Sequence, residues 1–138
     1  MWDGALNLLS GNLSGTPAAG SAKFLGKNRS YRVWGRCGGD VTGAGATCTV
    51  TIEESANGTT GWTLIAGPMT ITEQVGYVGG TTPRPEVPSG VAVLPWLVFT
   101  TSKDYVRAVP ALAGTTPVFP SVSVNTEPLD AAVLGSGR

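Results

Sequence analysis

Glycine and proline recur between short apolar runs along most of this chain, and they interrupt it too often for stable helices. The chain has 20 glycines and 10 prolines among its 138 residues, and their combined share is about twice the usual one. Only residues 5–9 and 129–134 could each form a helical turn. Elsewhere apolar and polar residues alternate with a period of two, which is typical of β-strands. The sequence therefore predicts an all-β chain, long enough for one domain.

The clearest alternation covers residues 47–55. Cys48, Val50 and Ile52 share one face, and threonines with Glu53 occupy the other. This pattern is typical of a half-buried antiparallel strand with a threonine-rich wet face.

Residues 31–37 alternate in the same way. Their apolar face carries Tyr31, Val33 and Cys37, and their other face carries Arg32, Trp34 and Arg36. The glycine-rich connection 38–45 suits a hairpin loop, so we expect these two strands to pair.

Shorter runs complete the predicted architecture. Asn57-Gly58 is a strong turn signal, and residues 77–89 indicate an irregular, proline-rich loop. Further strands are predicted at 23–25, 62–66, 69–72, 91–100, 105–112 and 118–126. Seven or eight strands at this spacing predict a single jelly-roll-like β-sandwich.

Three regions are expected from the change in patterning. Residues 1–20 are rich in small residues and little patterned, so we expect an extended N-terminal arm that orders against a partner. Residues 21–128 form the β-sandwich domain, and residues 129–138 form a C-terminal tail.

Charge and hydropathy argue against two classes of partner. Nine basic and nine acidic residues leave no net charge, which disfavours nucleic acid and polybasic membrane attachment. No apolar run approaches the ~20 residues of a membrane helix, and residues 1–10 lack the features of a secretory signal. We expect a protein made and used without export.

The residue types argue against catalysis, so we expect a protein that is not an enzyme and needs no cofactor or metal. The sequence has no histidine, which removes the commonest general base and metal ligand. Glu53 and Glu54 would point to opposite faces of a strand. We expect one or both of them to be simply solvated.

Two cysteines and four tryptophans allow alternatives. Cys37 and Cys48 could form a cross-strand disulfide, although two buried thiols are favoured. Trp62 and Trp96 lie in apolar patterns and are predicted in the core. Trp34 shares a face with two arginines and could be an exposed platform or an arginine-stacked contact.

Three segments carry a resemblance to a known family. They are the opening residues 3–10 (Asp-Gly-Ala-Leu-Asn-Leu-Leu-Ser), the strand and turn 49–58 leading into Trp62-Thr63, and the closing runs 105–108, 114–117 and 121–124. In this order the chain resembles the capsid cement, or decoration, proteins of tailed bacteriophages. The proline-rich insert 81–89 departs from the pattern.

The resemblance implies a sandwich on the outer surface of an icosahedral shell, made in the host bacterial cytoplasm. Its partner would be the major capsid protein, and it would self-associate as a dimer or trimer. The contacts expected in the arm and the proline-rich loop are Trp2, Leu6, Leu8, Leu9 and Arg84. The alternatives are a tail, neck or fibre-associated virion protein, and a carbohydrate-binding module.

Overall fold

A computed structural model describes residues 6–71, 77–78, 82–83 and 96–129. Strands dominate this part of the chain, which confirms the all-β prediction. The strands found there are β1 (Leu6–Ser14), β2 (Lys23–Phe24), β3 (Ser30–Cys37), β4 (Thr42–Ser55), β5 (Thr63–Thr70), β6 (Tyr77–Val78), β7 (Thr82–Pro83), β8 (Trp96–Thr100) and β9 (Tyr105–Pro128).

Seven of the strands form one antiparallel sheet. Its main path runs β5-β4-β9-β3-β8, and β1 and β2 also pair with β9. The terminal strands β5 and β8 contact each other, so the sheet forms a nearly closed, barrel-like arrangement. The short strands β6 and β7 form a separate antiparallel pair.

Strand β9 organises the sheet. Its first half pairs with β4, and its second half pairs with β3 on one side and β1 on the other. The sequence predicted two strands here, and the structure corrects this to one strand of 24 residues. Gly114 and Thr116 adopt positive φ angles of 111° and 44°. The register shifts near them, so the chain bends at this point and stays paired.

The predicted hairpin between β3 and β4 is wrong. β3 pairs with β8 and β9, whereas β4 pairs with β5 and β9. The length of β9 explains the difference, because its two halves supply a partner to each strand. Much of the glycine-rich connection belongs to β4, which begins at Thr42.

The alternation predicted within both strands is confirmed. On β4, Cys48, Val50 and Ile52 are fully buried and the intervening residues are half-buried. The buried side chains from all the main strands fill the interior of the sheet. This core comprises Leu8, Leu9, Leu13, Tyr31, Val33, Cys37, Cys48, Val50, Ile52, Met69, Ile71, Phe99, Val106, Ala108, Phe119, Val122 and Val124.

The N-terminal segment is a strand of the sheet rather than an arm. β1 pairs with β9 from Leu6 opposite Thr126 to Ser14 opposite Val118. The helical turn expected at residues 5–9 is therefore wrong for residues 6–9, which belong to β1. The strand forms because it covers an open edge of β9 and brings three leucines into the core.

Gly20 lies close to the backbone of β1 in the segment that connects β1 with β2. Its N–H donates to the Ala108 carbonyl oxygen at 2.8 Å. A Cβ at this position would lie 2.0 Å from the carbonyl oxygen of Leu8, so only glycine allows this approach of two backbone segments. The predicted boundary at residue 20 therefore falls inside the folded unit.

The predicted Asn57-Gly58 turn is confirmed. Gly58 has a φ of 79°, and Asn57 Oδ1 accepts hydrogen bonds from the amides of Thr59 and Thr60, both at 2.9 Å. The break expected after residue 66 is absent, because β5 continues through Gly67 as one strand.

Several predictions concern residues that are not described. These are most of the proline-rich loop 77–89, the start of the predicted strand 91–100, and the C-terminal tail beyond residue 129. Within the described ranges, no helix has the length and apolar character to cross a membrane.

Candidate interaction surface

The structure separates the five predicted contact residues. Leu8 and Leu9 are buried in the core, so the prediction that they contact a partner is wrong. Their burial follows from the pairing of β1 with β9. Leu6 is half-buried at the start of β1. Trp2 and Arg84 lie outside the described residues, and their roles stay predictions.

Leu6 lines an opening of about 170 Å³ with a mixed lining. Phe24 and Tyr31 contribute apolar surface to it, and Arg29 and Glu127 contribute charged groups. The ring of Phe24 packs edge to face on Tyr105 with 5.3 Å between centroids. Phe24 nevertheless exposes 65% of its surface, so apolar area remains open to solvent here.

A second surface lies on the outside of β3. Arg32, Trp34 and Arg36 point away from the core, and Val98 lies opposite Arg32 on β8. We call these four residues the Arg32–Arg36 face. The Arg32 guanidinium lies 5.7 Å from the centroid of the Trp34 ring, which confirms the arginine-stacked alternative for Trp34.

The two arginines of this face differ in their partners. On β9, Glu127 lies opposite Arg32 and forms an ion pair with it. Ser123 lies opposite Arg36, and Arg36 forms no ion pair with any residue that the structure describes. Arg36 is also exposed. The face therefore carries one uncompensated positive charge.

A third surface lies on the outside of β4, β5 and the first half of β9. The Arg107 guanidinium lies 4.2 Å from the centroid of the Trp62 ring. Arg107 also donates from Nε to Glu53 Oε1 at 2.9 Å, which compensates its charge. Trp62 is half-buried beneath Arg107 rather than in the core as predicted, and its neighbour Leu64 is exposed.

Glu54 departs most clearly from the sequence-based expectation. It is 3% exposed rather than solvated, and it accepts hydrogen bonds from the Ser102 amide (2.8 Å), the Ser102 hydroxyl and the Lys103 amide (3.1 Å). The alternation along β4 could have predicted this burial, because Glu54 lies two residues after Ile52 and therefore on the same inward face. Its carboxylate ties β4 to the turn between β8 and β9.

The environment of Glu54 shifts its acidity. Burial raises the pKa of the carboxyl, but the hydrogen bonds from Ser102 and Lys103 and the positive charge of Lys103 outweigh burial. The net result is a lowered pKa, so the folded protein favours the charged form.

Cys37 and Cys48 are two buried thiols and not a disulfide. The Cys37 thiol donates to the Pro120 carbonyl oxygen at 3.0 Å. Burial, together with the neighbouring Cys37, raises the pKa of Cys48 to about 11. The thiolate of Cys48 is therefore scarce at neutral pH.

We expect Cys48 to react slowly with alkylating reagents in the folded protein, because the thiolate is the reactive form. At pH 8 its alkylation should be about a hundredfold slower than in denaturant, measured by mass spectrometry over time. Digestion before mass spectrometry separates the peptide of Cys48 from that of Cys37, so Cys37 stays in place. Equal rates in folded and denatured protein would contradict the prediction.

The described residues contain no group of three or more histidine, cysteine or acidic side chains arranged to hold a metal ion. The described residues form a nearly closed, barrel-like sheet with an apolar core inside and with apolar and arginine–tryptophan groups on its outside. Such an arrangement can bind a partner surface.

Comparisons with known proteins add no further constraint. No protein-family model, no curated protein and no solved structure matches this chain.

Proposed function

We propose that this chain is a capsid cement protein of a tailed bacteriophage, a virion component without enzymatic activity. It would bind the outer surface of the shell and stabilise contacts between major capsid subunits. The resemblance of residues 3–10, 49–58 and the closing runs to this family supports the proposal.

The observation that carries the proposal is the Arg32–Arg36 face, in which Arg32 stacks on Trp34 beside the exposed side chain of Val98. Arginine and aromatic side chains are enriched among the residues that dominate protein contacts. Single exposed apolar side chains elsewhere among the described residues, such as Phe24 (65%) and Leu64 (57%), are common on protein surfaces and favour no particular partner. Several weak contacts per copy gain strength when many copies bind one shell.

We also propose the jelly-roll-like sandwich as the finer description of the fold. The path of β9 supports it, because one half of this strand pairs with β4 and the other half with β3 and β1. The two halves would then belong to two facing layers, as expected for strands that switch sheets at a bend.

Co-sedimentation with phage heads tests the proposed function. Heads that lack the protein should bind the full chain saturably, and heads already carrying it should not. Bound heads should also withstand higher temperature than bare heads. Absence of binding to bare heads would refute the cement function. Ring or trimer assembly without heads would then favour the tail or neck alternative.

The N-terminal contact needs a point variant rather than a truncation. Removing residues 1–20 would delete β1 and its core leucines, so a loss of binding would only report a loss of folding. Trp2→Ala leaves β1 in place and tests the predicted contact of Trp2.

A further inference from the structure

We propose that the Arg32–Arg36 face is the surface that docks on the shell, and that it binds an apolar patch of a protein bordered by carboxylates. This inference rests on the proposed function and names the contact through which the protein would act. It replaces the predicted contacts at Leu8 and Leu9, which are buried.

The face has the composition and rigidity of a binding surface. Arginine and tryptophan are enriched among residues that dominate interface energies. Here they lie on β3, which is paired on both sides by β8 and β9. Arg32 is held by Glu127 and stacks on Trp34. Preorganised side chains lose little conformational entropy on binding.

The charges of the face indicate the chemistry of its partner. On the outside of β4, Arg107 is compensated by Glu53, so that surface requires no external carboxylate. Arg36 is exposed and has no such partner among the described residues. A carboxylate on the docked protein would complete its interactions, while Val98 and Trp34 would meet apolar groups.

Three other occupants fit the face less well. Arg32 stacks on the Trp34 ring, whereas a bound sugar would need that ring face. One uncompensated cation on a chain of zero net charge is too little for nucleic acid. In a two-fold dimer built on this face, the Arg36 side chains of both copies would fall within the same contact and repel.

Charge reversal at Arg36 tests the inference. In co-sedimentation with bare heads, Arg36→Glu should weaken binding by about tenfold or more, because the new carboxylate would oppose the partner's. Lys27→Glu makes the same charge change at an exposed residue away from the face, and it should change binding by less than about twofold. Arg36→Gln serves as the second variant if Arg36→Glu lowers the melting temperature.

Trp34 and Leu64 give a second, uncharged comparison. Trp34→Ala should weaken head binding by about tenfold or more, while Leu64→Ala, on another outer surface, should leave it unchanged. Binding of the wild-type chain to a glycan array that is lost in Trp34→Ala, or a solution dimer that Arg36→Gln strengthens or disrupts, would overturn the assigned partner.

The possible outcomes separate the two proposals. If the wild-type chain does not bind bare heads, the cement function fails and this inference fails with it. If the wild-type chain binds and Arg36→Glu binds equally well, the cement function stands and the docking face is wrong. Equal losses in Arg36→Glu and Lys27→Glu would show a general charge effect and would also refute the docking face.

Discussion

Replacing Leu8 by alanine should lower the free energy of unfolding by about 2–5 kcal/mol. Leu8 is 1% exposed and lies in the core cluster, so truncation removes buried apolar area and leaves a cavity. Denaturant titration followed by tryptophan fluorescence measures the change, and the midpoint should fall with little change in slope.

The matched control is Leu64→Ala, the same substitution at a residue that is 57% exposed. It should change the free energy of unfolding by no more than about 0.5 kcal/mol. If Leu8→Ala were as mild as Leu64→Ala, β1 would not contribute to the core. The N-terminal segment would then be the detachable arm that its composition indicates.

Replacing Glu54 by alanine should lower the free energy of unfolding by about 2–3 kcal/mol at neutral pH. The substitution removes the acceptor of three hydrogen bonds from Ser102 and Lys103. The turn between β8 and β9 then loses its attachment to β4. Denaturant unfolding measures the loss, and hydrogen exchange at the Ser102 and Lys103 amides localises it.

Glu53→Ala is the adjacent control. Glu53 is half-buried, and its ion pair with Arg107 lies at the surface. Surface ion pairs contribute about 0–1 kcal/mol, so this variant should be clearly more stable than Glu54→Ala. Equal losses in the two variants would contradict a specific role for Glu54.

Glu54 should also make the fold sensitive to acid. Its pKa is lowered in the folded protein relative to about 4.3 in an unfolded chain. Its contribution is therefore complete above about pH 4.3 and is lost as the pH falls through the lower folded pKa. Glu54→Gln should flatten this part of the stability profile. An unchanged acid dependence in Glu54→Gln would contradict the assignment.

The faces of individual strands could be predicted from the sequence because they depend on local geometry. Side chains alternate across any strand, so the buried residues of β3 and β4 follow from their spacing. The stacking of Arg32 on Trp34 follows similarly, since residues two apart share a face. Glu54 also lies at an inward position of this pattern, but a charged side chain by itself favours exposure to solvent. Its burial depends on the hydrogen-bond donors of the turn after β8, and those donors are distant in sequence.

Strand pairing could not be predicted in the same way, because it joins residues that are far apart in the chain. Gly114 and Pro117 indicate the end of a strand locally, yet β9 continues through them because β4 and β1 pair on either side of the bend. The small residues of the N-terminal segment indicate an arm. Pairing with the open edge of β9 makes that segment β1.

Local alternation and turn chemistry thus account for the all-β character, the inward and outward faces of β3 and β4, and the turn at Asn57-Gly58. The burial of Leu8, the position of Glu54 and the lack of an ion pair between Arg36 and any described residue depend on which strands lie side by side. The arrangement of the strands follows from hydrogen bonding and apolar burial between distant segments. A period of two residues determines which face of a strand is buried, but it does not determine which strands are neighbours.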